Sequence, residues 1–108
     1  MRQLAIYRNN VFAGILTEEN RQDYQFEYDD KYFSTSDNQA ISLTFPKTQR
    51  VFQSTFLFPF FYNMLSEGVN RKLQCVLLKI DEDDNFGLLA KTSQFDTIGA
   101  ITVKPLLR

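Results

Sequence analysis

A chain of 108 residues has room for one domain, 1–108, and not for a second. Its 44% apolar content is that of a globular protein rather than a disordered one. With 12 basic and 13 acidic residues there is no basic face for direct nucleic-acid binding, and no apolar run approaches the roughly 18 residues that span a bilayer.

In chain order, residues 3–8 and 11–16 are β-prone runs flanking Asn9-Asn10, which predicts a hairpin because Asn tolerates positive φ. Tyr24, Phe26 and Tyr28 alternate with Gln25 and Glu27, the pattern of a half-buried strand. Asp29-Asp30 can cap a helical turn through Lys31, Tyr32 and Phe33. Residues 34–39 are a loop by composition. Ile41, Leu43 and Phe45 alternate with Ser42 and Thr44, which predicts a strand over 40–45 that Pro46 ends. Pro59 suits the first turn of a helix whose apolar stripe is Phe60, Phe61, Met64 and Leu65, with Gly68 as its stop. Asn70 can cap a second helix, in which Leu73, Val76, Leu77 and Ile80 fall at i, i+3, i+4 and i+7. Asp81 to Asn85 is an acidic turn, and residues 86–90 and 99–103 close the chain as strands. Strands, then helices, then strands predict an α+β fold with a mainly antiparallel sheet and helices on one side.

The residues offer little chemistry. There is no His, so the commonest general base and metal ligand is missing. Cys75 is the only cysteine; it can form no intrachain disulfide, and its apolar neighbours suit a near-core thiol better than a nucleophile. Asp81, Asp83 and Asn85 imitate the start of a calcium loop, but Phe86 and Thr92 stand where such a loop needs Gly and Glu. The glycines are too dispersed for a phosphate-binding loop. These readings predict a protein that is not an enzyme and carries neither metal nor cofactor. Met1-Arg2-Gln3-Leu4 lacks the apolar stretch of a secretion signal, so the cytoplasm is the default compartment.

The segment 56–71, FLFPFFYNMLSEGVNR, crowds five aromatics into seven positions around Pro59. A single helix cannot turn all of them inward. Core and interface positions are both open to Phe56, Phe58 and Tyr62, since aromatics, Met and Arg are enriched at the centres of protein interfaces.

The same segment resembles the Phe-Phe-x-Asn-Leu-Leu-Pro-Glu-Gly-x-x-Arg signature of the N-terminal subdomain of HipA-type toxin kinases. VFAGIL, FEYDDKYF, AISLTFP and FGLLAKTSQFDTIGAITV resemble further pieces of that family in its order, so the likeness covers nearly the whole chain. Ser66 and Ser93 depart from it, standing where Pro and Gly are usual. The resemblance implies a partly barrel-like antiparallel sheet with two to three helices. It also implies no kinase machinery, which the family carries in a larger C-terminal region. A chain running from Met1 to this point resembles the HipS-like small subunit of split systems, which implies an antitoxin role. The expected partners are a HipA-like Ser/Thr kinase and, within the same complex, a HipB-type helix-turn-helix protein. The expected docking residues are Phe58, Tyr62, Met64, Ser66, Glu67 and Arg71. The alternative is the N-terminal structural subdomain of a one-chain HipA-type kinase, with no regulatory activity of its own.

Overall fold

Asn9 and Asn10 make the first chain reversal, with φ of 50° and 65°. Two successive left-handed residues give a turn whose twist matches that of paired strands. They join β1 (Arg2–Arg8) to β2 (Val11–Asn20), the predicted hairpin. The computed structural model describes residues 1–65, 68–81, 83–92 and 101–106, and for residues 68–71, 74 and 92 it describes the backbone only.

After β2 come β3 (Asp23–Tyr28), α1 (Asp30–Ser34), β4 (Val51–Ser54), α2 (Pro59–Tyr62), α3 (Gly68–Leu78), α4 (Asn85–Thr92) and β5 (Ile101–Pro105). The strands form one antiparallel sheet in the order β4-β3-β2-β1-β5. The sheet is open: β4 and β5 are its two edges, and it does not close into a barrel. The fold is therefore the expected α+β class, with four helical segments among the described residues, of which α1 and α2 are little more than one turn each.

Register carries the core across the sheet. Leu4 lies opposite Leu16, Leu16 opposite Phe26, and Phe26 opposite Phe52. In the next row Val103 faces Ile6, Ile6 faces Gly14, and Gly14 faces Tyr28. Gly14 is required there: a Cβ would come within 2.3 Å of the Glu27 carbonyl and 3.0 Å of the Phe26 ring. Phe26 and Phe45 are the hubs of the core. The Phe45 ring centroid lies 5.0 Å from Phe26, 5.1 Å from Phe52 and Phe58, and 5.7 Å from Phe61. Edge-to-face and tilted pairs of this kind add to what area burial alone supplies.

Two predicted strands are corrected. Residues 40–45 form turns, not a strand. Ile41 and Phe45 are buried as the alternation implied, but Leu43 is 99% exposed. Ser42 decides this locally: its side chain accepts from the Thr44 amide and its carbonyl from the Phe45 amide, and such self-bonding favours turns over ladders. Tyr28 then ties the segment down, its hydroxyl donating to the Phe45 carbonyl and accepting from the Ile41 amide. The strand that lies beside β3 is β4, a short run without clear alternation.

Residues 86–90 lie in a helix, α4, not a strand. Asp84 starts it, accepting the Gly87 amide on Oδ1 and the Leu88 amide on its carbonyl, both at 3.0 Å. Phe86, Leu88 and Leu89 are buried. Residues 99–100 of the predicted closing strand lie outside the described residues, and the remainder is β5.

Candidate partner-binding surface

Two depressions of the surface among the described residues offer no free acid or base. A cleft of about 190 Å³ beside β4 is lined by Phe45, Phe52, Phe58 and Phe60 with the amides of Gln49 and Gln53, and holds no titratable side chain. A second depression contains Glu27, Asp29 and Asp30, and each is engaged. Arg50 pairs with Glu27 at 3.0 Å and with Asp30, and Asp29 caps α1 by accepting the Tyr32 amide.

Arg2, Glu18, Tyr24 and Asp84 form the most concentrated polar group among the described residues. Arg2 and Tyr24 both lie opposite Glu18 in the sheet register. Arg2 Nε and Nη2 donate to Glu18 Oε1 at 2.8 and 2.5 Å, and Nη1 and Nη2 reach Asp84 at 3.0 and 2.7 Å. Tyr24 donates to the other Glu18 oxygen at 3.0 Å. The Asp84 carboxyl is held below the usual carboxylate range by its hydrogen bond from Arg2. Burial, then Glu18, pushes the Tyr24 phenol up to about 12. With the Arg2 guanidinium 5.1 Å above the Phe86 ring, the group fastens the start of α4 to the sheet. It is a clasp, with its hydrogen-bonding capacity turned inward.

The 56–71 segment divides. Phe58 is only 9% exposed, packed against Phe45 and Phe61, and its carbonyl accepts the Phe61 and Tyr62 amides that open α2. Of the two positions open to Phe58, core and interface, its ring takes the core in this chain. Phe56 and Tyr62 are 64% and 41% exposed. Met64 is half-buried against the core. Ser66 and Glu67 lie outside the described residues, and Arg71 is described only by its backbone, in α3. The predicted helix stop at Gly68 and cap at Asn70 are corrected too: α2 ends at Tyr62, and both residues lie inside α3.

The helix α3 is where the structure inverts the sequence pattern. Among its described side chains the buried one is Cys75, with Ile80 packed against the core just beyond its end. Leu73, Val76 and Leu77, on the opposite side, are 55%, 73% and 70% exposed, and Leu78 is 41% exposed. The helix terminus explains this. Lys79 takes a left-handed conformation at φ 56°, its amide donates to the Val76 carbonyl, and the Ile80 amide donates to Cys75 at 3.0 Å. That double closure is a Schellman motif. It swings Ile80 off the helix and into the core, so the residue that completes the periodic stripe does not belong to the same face. What remains is an uncovered aliphatic ridge. Such a face on a small domain is a candidate interaction site. The stripe is plain in the sequence, but helical spacing alone points it at the core. The signal for the outward reading is that Cys75, a residue type that prefers burial, stands off the stripe.

An open antiparallel sheet with its helices packed as above defines a small α+β domain with an exposed aliphatic ridge on α3. Residues 4–104 match the sequence model of the HipA N-terminal domain, and the chain belongs to that family. A solved structure described as the N-terminal domain of HipA toxin superposes with a TM-score of 0.74 at 24% identity, covering 100% of this chain and 95% of that one. An uncharacterized protein of Haemophilus influenzae is 29% identical over 99 residues, which cover 92% of this chain and 88% of the relative. Among the described residues no helix is long and apolar enough to cross a membrane.

Proposed function

We propose that this chain is a non-catalytic, HipS-like regulatory subunit that binds a separately encoded HipA-type Ser/Thr kinase in the cytoplasm and acts as its antitoxin. The observation that carries the reading is the uncovered ridge of Leu73, Val76 and Leu77 on α3. A folded domain gains by covering such a ridge, and the cover proposed is the kinase. Tyr62 and Met64 adjoin the same stretch of chain, and Ser66, Glu67 and Arg71 belong to the proposed face by family resemblance. The mechanism is steric or conformational: the subunit covers the nucleotide cleft or holds a kinase lobe in an unproductive position. A HipB-type helix-turn-helix protein completes the complex and supplies the DNA contact, which the charge balance of this chain does not favour.

The Haemophilus relative favours a free-standing subunit, because the matched region is 88% of that protein and leaves no room there for a kinase. The likeness to the N-terminal domain of HipA toxin favours a second reading, an N-terminal structural subdomain of a one-chain kinase. Sequencing the adjacent coding region, and co-expression with a HipA-type kinase found there, separate the two. A complex of two chains that survives size-exclusion chromatography supports the first. A kinase reading frame continuous with this chain supports the second. Two separate chains that elute apart refute the proposed subunit role.

A further inference from the structure

The charges around the α3 ridge point to the chemistry of what covers it. Residues 68–80 hold three of the chain's 12 basic residues and none of its 13 acidic ones. Lys72 lies one helical turn before Val76, and Lys79 stands at the left-handed end of the helix, so the two lysines bracket the ridge along the chain. Both are exposed, and neither has an ion-pair partner among the described residues. We infer that α3 docks into an apolar groove of the kinase bordered by Asp or Glu carboxylates, a helix-in-groove contact steered by Lys72 and Lys79.

This inference rests on the proposed kinase-binding role and adds the surface and its chemistry. Charge argues for that occupant over two others. A second copy would set two lysine-bordered ridges against each other, like charge against like. A lipid surface would gain little from three aliphatic side chains on an 11-residue helix, since stable anchoring needs far more buried hydrocarbon.

Calorimetric titration of the purified kinase with the full chain, between about 50 and 400 mM salt, tests it. The wild-type affinity is expected to fall about tenfold across that range. K72E/K79E is expected to bind about tenfold more weakly at low salt and to lose most of the salt dependence. L73Q/L77Q replaces exposed leucines with a good helix former, so it should fold and melt as the wild type, yet bind at least about thirtyfold more weakly at every salt. If the wild type binds and L73Q/L77Q binds equally well, the kinase docks elsewhere and this inference alone fails. If K72E/K79E keeps the wild-type salt dependence, the carboxylate border is refuted. If the wild type does not bind at all, the proposed function fails and the inference with it. Sedimentation of the chain alone, and flotation with anionic vesicles, complete the test: association there that L73Q/L77Q abolishes would give the ridge to a second copy or to a membrane and overturn the inference.

Discussion

Replacing Arg2 with methionine strips two carboxylates of one shared cation. The Glu18 side chain is 8% exposed and that of Asp84 19%, while the Arg2 side chain is 43% exposed. Breaking a fully buried ion pair costs about 3–5 kcal/mol because one charge is left uncompensated. Water reaches nearly half of Arg2, and Tyr24 still donates to Glu18, so the cost here is discounted to about 2–3 kcal/mol. In a domain of this size that lowers the melting temperature by roughly 10 °C. Urea unfolding followed by circular dichroism measures it, with the midpoint falling at unchanged slope. R2M/E18Q should recover about 1 kcal/mol of the loss, because a neutral amide replaces the stranded carboxylate. A loss below about 0.5 kcal/mol in R2M would place the clasp among ordinary surface pairs and refute this explanation of how α4 is held.

The pH dependence follows from the same group. Asp84 has a depressed pKa, so its contribution is present above the usual carboxylate range and is lost as pH falls through its folded value; R2M should flatten the acid limb of a stability–pH curve. Tyr24 is raised from its ordinary value of 10.0 to about 12, so its contribution is intact below pH 10 and fades as pH climbs toward 12; in Y24F that alkaline loss should shrink. G14A forces a Cβ to within 2.3 Å of the Glu27 carbonyl and should destabilise by about 1–3 kcal/mol in the same unfolding assay; an unchanged midpoint would mean that the strand pair spreads freely. K79G relieves a left-handed non-glycine residue at φ 56° and should stabilise by about 0.5–1 kcal/mol; a loss would mean that the lysine stem packs usefully.

The parts of the fold that were legible in the sequence are those where local chemistry and final structure agree. Asn9-Asn10 supplied positive φ, Tyr24, Phe26 and Tyr28 alternated against polar residues, and Asp29 capped α1. The misplaced strand at 40–45 alternated in sequence, and Ile41 and Phe45 are buried while Leu43 is not: Ser42 competed for the backbone, and the Tyr28 hydroxyl, thirteen or more residues away in sequence, fixed the outcome. The run at 86–90 was too short for periodicity to separate helix from strand, and the deciding residue, Asp84, lay outside it. For the candidate site, periodicity identified α3 but could not say which side of it meets the core. That side is set by Cys75 and by the chain reversal at Lys79, a tertiary matter that no helical spacing records. The aromatic crowd around Pro59 likewise sorted itself by packing, with Phe58 and Phe61 inward and Phe56 and Tyr62 outward.

The regulatory claim is tested most directly by the phosphoryl-transfer rate of the partner HipA-type kinase, titrated with this chain. An antitoxin subunit predicts a rate that falls with added chain and reaches a floor at one equivalent. A rate that stays unchanged or rises while a stable complex forms would contradict the antitoxin role and leave the chain a scaffold or an activator.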